Sequence, residues 1–196
     1  MADLTRLRTL ALLGPAGSGK TTLAESLLLA AGAIPQAGSV EKGSTVSDFD
    51  PIEKRMQHSL ASSLLHFEHD GLRVHLIDTP GAPDFSGHAL PALEAVETAI
   101  VVIDAQRGIE LMAQRAMETA AERLRDRVIV INKIDAPGID LPGLLEQIRE
   151  TFGRECLPLN LPNAGSVQDC FFASSGASDF GSVAEAHRAL VEQVVE

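Results

Sequence analysis

The sequence has no tryptophan and no tyrosine, so phenylalanine, with seven residues, is its only large aromatic side chain. Any stacking of nucleic-acid bases would depend on phenylalanine alone. Basic residues are also few, because 16 Lys and Arg stand against 27 Asp and Glu, a formal net charge of −11. This excludes a broad electrostatic hold on nucleic acid, which needs many cations facing phosphates. We expect no sequence-specific nucleic-acid partner.

Cysteines and long apolar runs are scarce as well. Cys156 and Cys170 have no further Cys or His at metal-ligand spacing, so neither a zinc site nor a disulfide framework is indicated. Apolar stretches such as residues 27–31 fall far short of the ~20 residues that span a membrane. No secretory-signal pattern precedes Gly14. We therefore expect no membrane partner and a cytoplasmic location.

The 196 residues, 45% of them hydrophobic and 22% charged, are typical of one soluble domain with at most a small appendage. Short apolar runs alternate with helical patterns, which predicts an α/β fold with a doubly wound, mainly parallel sheet. Asp70-Gly71 predicts a hairpin and hence one antiparallel edge strand. The predicted strands are 10–13, 60–67, 72–77, 99–103 and 128–131, and the predicted helices are 20–31, 89–96, 111–124 and 141–151.

Two segments lack this periodicity. Residues 33–57 are polar and rich in turn formers, and a loop of this length in a compact domain is usually functional or mobile. Residues 153–181 contain repeated Pro and Gly between short apolar runs, which indicates a small subdomain. Helical spacing of apolar residues returns at 183–194 and predicts a final amphipathic helix.

The first motif with a chemical meaning lies between the first predicted strand and the first predicted helix. Glycines there let backbone N–H groups converge on phosphate oxygens at the positive end of the helix. Lys20 is predicted to reach the outer phosphates, and the Thr21 hydroxyl to bind Mg²⁺. A Gly-rich turn without a ligand is the alternative. The predicted binding residues are Gly14, Pro15, Ala16, Gly17, Ser18, Gly19, Lys20, Thr21 and Thr22, which fit the pattern G-x-x-x-x-G-K-[ST].

Two more motifs follow predicted strands. In Asp78-Thr79-Pro80-Gly81, Asp78 is predicted to hold Mg²⁺ through water, and the Gly81 N–H to meet the γ-phosphate. Asn132-Lys133-Ile134-Asp135 ends on a carboxylate that can accept both N1–H and the exocyclic amino group of guanine, a donor pair that adenine lacks. Because ligands bind at the carboxyl ends of such strands, Asn132, Lys133 and Asp135 predict a GTP or GDP site.

With these motifs placed, the sequence resembles the translational P-loop GTPases, and among them the elongation factor G group. The resemblance covers nearly the whole chain and implies a ribosome-associated enzyme that hydrolyses GTP to GDP and phosphate with Mg²⁺. It implies a GTP-binding domain over residues 1–152 and the start of an inserted subdomain over 153–196, in an N-terminal piece that lacks the fold's last strand and helix. The resembling stretches are residues 43–50, 78–85, 103–108 and 153–171.

The departures from the family pattern affect catalysis. The family's R-G-I-T-I aligns with residues 55–59, so its Mg²⁺-sensing Thr is missing from its place, and Ser59 or Thr45 could substitute. Ala82 occupies the place of the His that positions the attacking water, and no other residue is assigned as catalytic. Gly17 stands where many members carry Asp. The resemblance therefore implies a low intrinsic rate of hydrolysis.

Other interpretations stay open at this point. Without the usual Thr and His, the chain could be a non-catalytic module that uses guanine nucleotide only to set a docking surface. A P-loop ATPase or small-molecule kinase is a third class, which residues 132–135 argue against. Arg107 could donate charge to the site or be a solvated loop residue, and Ala173-Ser174-Ser175 is the one local candidate for a loop closing the guanine pocket.

Overall fold

The computed structural model describes residues 4–195, which form two compact units that divide between Lys133 and Ile134. The strands of the first unit are β1 (Leu7–Leu13), β2 (Ser63–His69), β3 (Leu72–Asp78), β4 (Thr98–Asp104) and β5 (Asp126–Asn132). Its α-helices are α1 (Lys20–Ala30), α2 (Pro51–Met56), α3 (Ser86–Ala89) and α4 (Leu111–Glu122). Its 3₁₀ helices are Leu4–Arg6, Pro83–Phe85 and Leu90–Glu94. The second unit contains α5 (Leu141–Phe152), β6 (Asn160–Asn163), β7 (Ser166–Asp169) and α6 (Val183–Val195).

The sheet of the first unit has the strand order β2-β3-β1-β4-β5. β3, β1, β4 and β5 are mutually parallel, whereas β2 pairs antiparallel with β3 at the edge. The hairpin between them turns at Asp70 and Gly71, both with positive φ, as a tight two-residue turn requires. The predicted mainly parallel sheet with one antiparallel edge strand is confirmed. The carboxyl ends of β1, β3, β4 and β5 consequently lie along one edge.

Both faces of the central strands are buried. In β4 the consecutive residues Val101, Val102 and Ile103 are all inaccessible to solvent, which requires cover on both faces because successive side chains point to opposite sides. Helix α1 packs one of these faces, and α4 packs on β4 and β5. The core that includes α1 consists of Leu12, Ala24, Leu28, Leu65, Phe67, Val74, Leu76 and Val102.

The helices depart from the sequence expectations in two places. Helix α2 lies inside the segment expected to be a loop, and its N-terminus is closed by a capping box between Asp50 and Glu53. It is too short to show helical periodicity. The helix expected at 89–96 is instead α3 followed by the 3₁₀ helix Leu90–Glu94, because Pro91 has no N–H to continue an α-helix.

The second unit has a small core of its own. β6 and β7 form an antiparallel hairpin that turns at Ala164 and Gly165, both with positive φ. The final helix, α6, begins at Val183 as its apolar spacing predicts and ends one residue beyond the predicted 194. Its buried residues pack with the hairpin and with the fully buried Cys170. The core consists of Leu161, Cys170, Val183, Ala186 and Leu190. Within residues 4–195, no helix is long and apolar enough to cross a membrane.

Candidate functional site

The loop between β1 and α1 folds around three glycines, two of which leave no room for a side chain. Gly14, Gly17 and Gly19 all have positive φ, a conformation that L side chains rarely adopt. A Cβ at Gly14 would overlap the carbonyl oxygen of Val102, and one at Gly19 would overlap the side chain of Asn132. The glycines of the motif therefore let the loop pack tightly against β4 and the end of β5.

Three side chains hold three consecutive carbonyl groups of this loop. The donors are Arg107 Nη1 to Ala16 at 3.0 Å, Lys133 Nζ to Gly17 at 2.6 Å and Asn132 Nδ2 to Ser18 at 2.9 Å. In a trans peptide the N–H points opposite to the C=O, so fixing each carbonyl also fixes the direction of the next N–H. The Asn-Lys motif thus supports the phosphate loop directly.

Lys133 itself is held by a buried carboxylate. Its Nζ lies 2.7 Å from Asp104 Oδ2, and Asp104 is only 1% exposed. Burial alone would raise the pKa of Asp104, but hydrogen bonds from Lys133 and the Gln106 N–H, with the charge of Arg107, outweigh it and hold the pKa below its usual range. The charged Asp104 at the end of β4, which the sequence analysis did not single out, therefore fixes Lys133 in place.

Lys20, the first residue of α1, is turned onto the loop. Its side chain is buried, and Nζ donates to the carbonyl oxygens of Gly14 at 3.0 Å and Pro15 at 2.8 Å. Burial lowers the pKa of Lys20 to about 8, against the raising effects of Asp78 and Glu110. The ammonium is thus mainly protonated at neutral pH. Its carbonyl partners are neutral and bind a cation less strongly than phosphate oxygens do.

Asp78, at the end of β3, faces the start of α1. Thr21 Oγ1 donates to Asp78 Oδ2 at 2.7 Å, while Asp78 Oδ1 has no partner in hydrogen-bond geometry although it is buried. Burial raises the pKa of Asp78 to about 6, and it outweighs the lowering effects of Thr21, Ser47 and Lys20, while nearby Asp48 raises the pKa further. An unsatisfied buried oxygen at this point calls for a cation or a proton.

Ser59 and Asp48 adjoin this pair. Ser59 Oγ lies 3.4 Å from Thr21 Oγ1 and donates to Asp48 Oδ1 at 2.7 Å, and Asp48 is only 3% exposed. Two buried carboxylates and two hydroxyl groups thus form a connected cluster of oxygens. Oxygen ligands of this kind suit Mg²⁺, which retains several waters in nucleotide sites. The cluster fits a magnesium ion at Thr21 and Asp78.

The segment after β3 lies directly on the phosphate loop. Gly81 is buried, and a Cβ there would overlap Lys20 Nζ and the backbone of Pro15 and Ala16. Ala82 follows and precedes the 3₁₀ helix Pro83–Phe85. Its methyl group can neither donate nor accept a hydrogen bond. Gly81 is thus placed against the phosphate loop, while the side chain at position 82 has no polar group that could orient water.

The structure brings most of the predicted residues together within the first unit: Gly14 to Thr21, Asp78, Gly81, Asn132 and Lys133. Thr22 is exposed on α1, and its role in binding stays a prediction. Asp135 lies in the turn after β5, in the second compact unit, and its recognition of guanine also stays a prediction.

Two buried glutamates, which the sequence patterns did not indicate, accept hydrogen bonds from the backbone of residues 38–61. Glu25 accepts from the N–H groups of Gly38 at 2.6 Å and Val46 at 2.5 Å, and Glu53 accepts from those of Leu60 at 2.9 Å and Ala61 at 3.3 Å. The only sequence signal for Glu25 is that it is an acidic residue on the apolar side of a helix. Both carboxylates take backbone donors that would otherwise lack partners in this irregular segment.

The raised pKa of Asp78 predicts how the stability of the nucleotide-free chain depends on pH. Because its pKa rises from 3.8 to about 6 on folding, the folded chain binds this proton more tightly than the unfolded chain. The free energy of unfolding therefore falls as pH rises through this range, by about 1–2 kcal/mol between pH 5 and pH 7.5. Asp78→Asn removes this contribution, so the free energy of unfolding of the variant increases relative to that of the wild type as pH rises. Urea unfolding in EDTA across this range measures the difference, and parallel stability curves would contradict the prediction.

A phosphate loop after β1, an aspartate at the end of β3 and an Asn-Lys pair at the end of β5, on a sheet of this order, define the P-loop GTPase fold. The chain matches the family model described as "Elongation factor Tu GTP binding domain" over residues 5–195. It belongs to this family, whose members bind GTP and GDP, typically with Mg²⁺, and generally hydrolyse GTP.

Similar proteins agree with this assignment. The chain is 34% identical, over 97% of its length, to an elongation factor G-like protein of Mycobacterium tuberculosis, and covers 28% of that relative. It is 37% identical, over 82% of its length, to peptide chain release factor 3 of Streptococcus sanguinis, and covers 32% of it. A crystal structure of a Thermus thermophilus protein superposes with a TM-score of 0.85 and 34% identity, covering 96% of this chain and 31% of that one. The chain thus spans about a third of the length of these relatives.

Proposed function

We propose that this chain is the GTP-binding domain of a ribosome-associated translational GTPase of the elongation factor G-like type, acting in the cytoplasm. It hydrolyses GTP to GDP and phosphate, slowly when alone. The observation that carries this proposal is the cluster of Lys20, Thr21 and Asp78 at one edge of the sheet. The names of the relatives, an elongation factor G-like protein and peptide chain release factor 3, support the link to translation. Residues 1–152 form the GTP-binding domain, and 153–196 the start of an inserted subdomain.

Different residues of the chain bind the phosphates, the Mg²⁺ ion and the guanine base. The backbone N–H groups of residues 14–21 and the Lys20 ammonium receive the phosphates, and Lys133 and Asn132 keep the loop in shape. Thr21 and, through water, Asp78 hold Mg²⁺, which supplies positive charge to the phosphate oxygens. Asp135 accepts the hydrogen bonds of guanine and so selects the base.

Switching depends on the segments around the phosphate loop, residues 38–60 and 79–88. Of the two hydroxyl groups that could replace the family's Mg²⁺-sensing Thr, the distances favour Ser59, because its Oγ is already next to Thr21. Thr45 is buried, and its Oγ1 has no hydrogen-bond partner. It also immediately precedes Val46, whose N–H is bonded to Glu25. Ser59 is therefore the residue that reports on Mg²⁺·GTP.

Ser59→Ala tests this assignment. The variant is expected to bind GTP about three- to tenfold more weakly in Mg²⁺, with little change for GDP or in EDTA, because it loses one polar contact in the GTP-bound state. Ser59→Thr keeps the hydroxyl and should retain the wild-type values. Calorimetric titration with GTP and GDP gives the affinities. Ser166→Ala, in the hairpin of the second unit, is the control. Equal GTP affinities for Ser59→Ala and wild type would assign Ser59 a purely local role.

A turnover assay with and without ribosomes tests the proposed activity. Alone, the chain is expected to hydrolyse GTP slowly, because Ala82 cannot orient the attacking water and phosphoryl transfer depends mainly on positioning and charge. Ribosomes are expected to raise the rate. Fast unaided hydrolysis would contradict the role assigned to position 82.

The non-catalytic module is the second candidate function, and the methyl group of Ala82 is the observation that favours it. In that case no hydrolysis occurs with or without ribosomes, while nucleotide still binds. Equal affinities for GTP and GDP would exclude a switch of either kind, because a ligand that does not discriminate between two states shifts neither.

A further inference from the structure

Arg107 reaches the phosphate loop from the turn after β4. Its Nη1 donates to the Ala16 carbonyl oxygen at 3.0 Å. Two carboxylates flank the guanidinium, Asp104 at 4.0 Å and Glu110 at 3.9 Å, while about half of the side chain is exposed. The guanidinium donates its hydrogen bond to the carbonyl, while the two carboxylates lie beyond hydrogen-bond distance and attract it as ion-pair partners. Arg107 is thereby fixed in orientation.

The glycine at position 17 leaves this guanidinium without a neutralising side chain from the loop. A Cβ at Gly17 would lie 3.5 Å from Arg107 Nη2 and 3.6 Å from Nη1. An acidic side chain at this position would therefore form an ion pair with Arg107. With glycine there, the loop adds no negative charge to those of Asp104 and Glu110, and the guanidinium keeps its hydrogen bond to the Ala16 carbonyl oxygen.

The contact with Ala16 lies on the side of the loop against which Gly81 packs. Gly81, which the sequence motif assigns to the γ-phosphate, packs against the backbone nitrogen of the same residue. Arg107 holds the carbonyl of Ala16, so the peptide that joins Ala16 to Gly17 has a fixed plane. Its N–H, on Gly17, points away from Arg107 because the peptide is trans. Arg107 thus controls the direction of one phosphate-facing donor.

We propose that Arg107 is a positioning residue for the outer phosphates of GTP, because it fixes the plane of the Ala16–Gly17 peptide through its hydrogen bond to the Ala16 carbonyl oxygen. This inference rests on the proposed function, because it requires that the loop bind a nucleoside triphosphate. Arg107 thus does for the Ala16 carbonyl what Lys133 and Asn132 do for the next two carbonyls of the loop, because each donates a hydrogen bond that fixes the peptide. Because the contact lies beside Gly81, which the motif assigns to the γ-phosphate, we expect GTP binding to depend on Arg107 more than GDP binding does.

The affinities of the purified chain for a non-hydrolysable GTP analogue and for GDP, measured by calorimetry, test the proposal. Arg107→Ala is expected to weaken binding of the analogue about tenfold, the scale of one hydrogen bond to a charged group, and binding of GDP about threefold or less. Arg107→Lys keeps the charge and one donor and should recover most of the loss. Arg73→Ala is the matched control, because Arg73 pairs with Glu68 on the hairpin, near the start of β3.

Three results would overturn the proposal: unchanged affinities in Arg107→Ala, an equal loss for both nucleotides, or a lysine variant as weak as the alanine variant. Thermal unfolding of each variant without nucleotide separates positioning from stability, because a merely structural role would lower the melting temperature and leave the ratio of the two affinities unchanged. If the wild-type chain binds neither nucleotide, it is the proposed function that fails.

Discussion

Lys20→Met is expected to weaken the binding of both GTP and GDP by at least about 100-fold, the largest loss of affinity among the variants considered. The Lys20 ammonium is buried at the phosphate loop and bonded to two neutral carbonyls, so it is positioned to exchange them for phosphate oxygens. Removing one partner of a desolvated charge pair typically costs several kcal/mol. Calorimetric titration with each nucleotide in Mg²⁺ measures the change.

Stability distinguishes this effect from unfolding. Methionine has nearly the length of lysine and carries no charge, so the variant avoids the cost of burying an ammonium while losing two hydrogen bonds. We expect a melting temperature within a few degrees of the wild type, and Arg73→Ala should bind both nucleotides normally. Wild-type affinity in Lys20→Met would show that the loop does not bind phosphate through this residue.

Asp135→Asn is expected to change the base that the chain selects. In the proposed role the Asp135 carboxylate accepts from two donors of guanine, whereas an amide offers one acceptor and one donor and so matches xanthine better. Sites built around such hydrogen bonds strongly reject ligands that leave a polar group unpaired. The affinity for GDP should therefore fall about 100-fold or more, while the affinity for xanthosine diphosphate should rise. Competition titrations with guanosine, xanthosine and adenosine nucleotides give the order of preference.

Asp140→Asn provides the control for this variant. Asp140 caps α5 by accepting from the Gly143 N–H, a role that asparagine also fills, so base preference should stay that of the wild type. If Asp135→Asn still binds GDP as the wild type does, Asp135 does not recognise the guanine base. ATP binding as tightly as GTP in the wild type would favour the ATPase or kinase class instead.

Local sequence was sufficient to predict the sheet and the phosphate loop. A few neighbouring residues are enough to predict the strands β3, β4 and β5 from their apolar runs and the hairpin turn from Asp70-Gly71. Three glycines of the loop, Gly14, Gly17 and Gly19, have positive φ angles, which fits the tight backbone path expected of the motif. Helix α2 was missed because its signal is a capping box rather than a periodic pattern.

Contacts between distant segments could not be predicted in the same way. The bond between Lys133 and the Gly17 carbonyl joins residues on different elements, and its partner Asp104 gave no signal beyond its place at a strand end. The choice between Ser59 and Thr45 depended on the path of residues 38–60, which follows buried Glu25 and Glu53 rather than any local propensity. The sequence patterns located the site, but only the fold shows how its parts support one another.

The bonds of Glu25 divide the segment after α1 into a tethered part and a part that can move. Glu25 lies five residues beyond Lys20 on the same helix and binds the backbone at Gly38 and Val46. Residues 38–46 are consequently anchored to the helix that begins at the phosphate loop. Within residues 38–60, the largest movement on nucleotide exchange is therefore expected beyond Val46, where Asp48 and Ser59 lie.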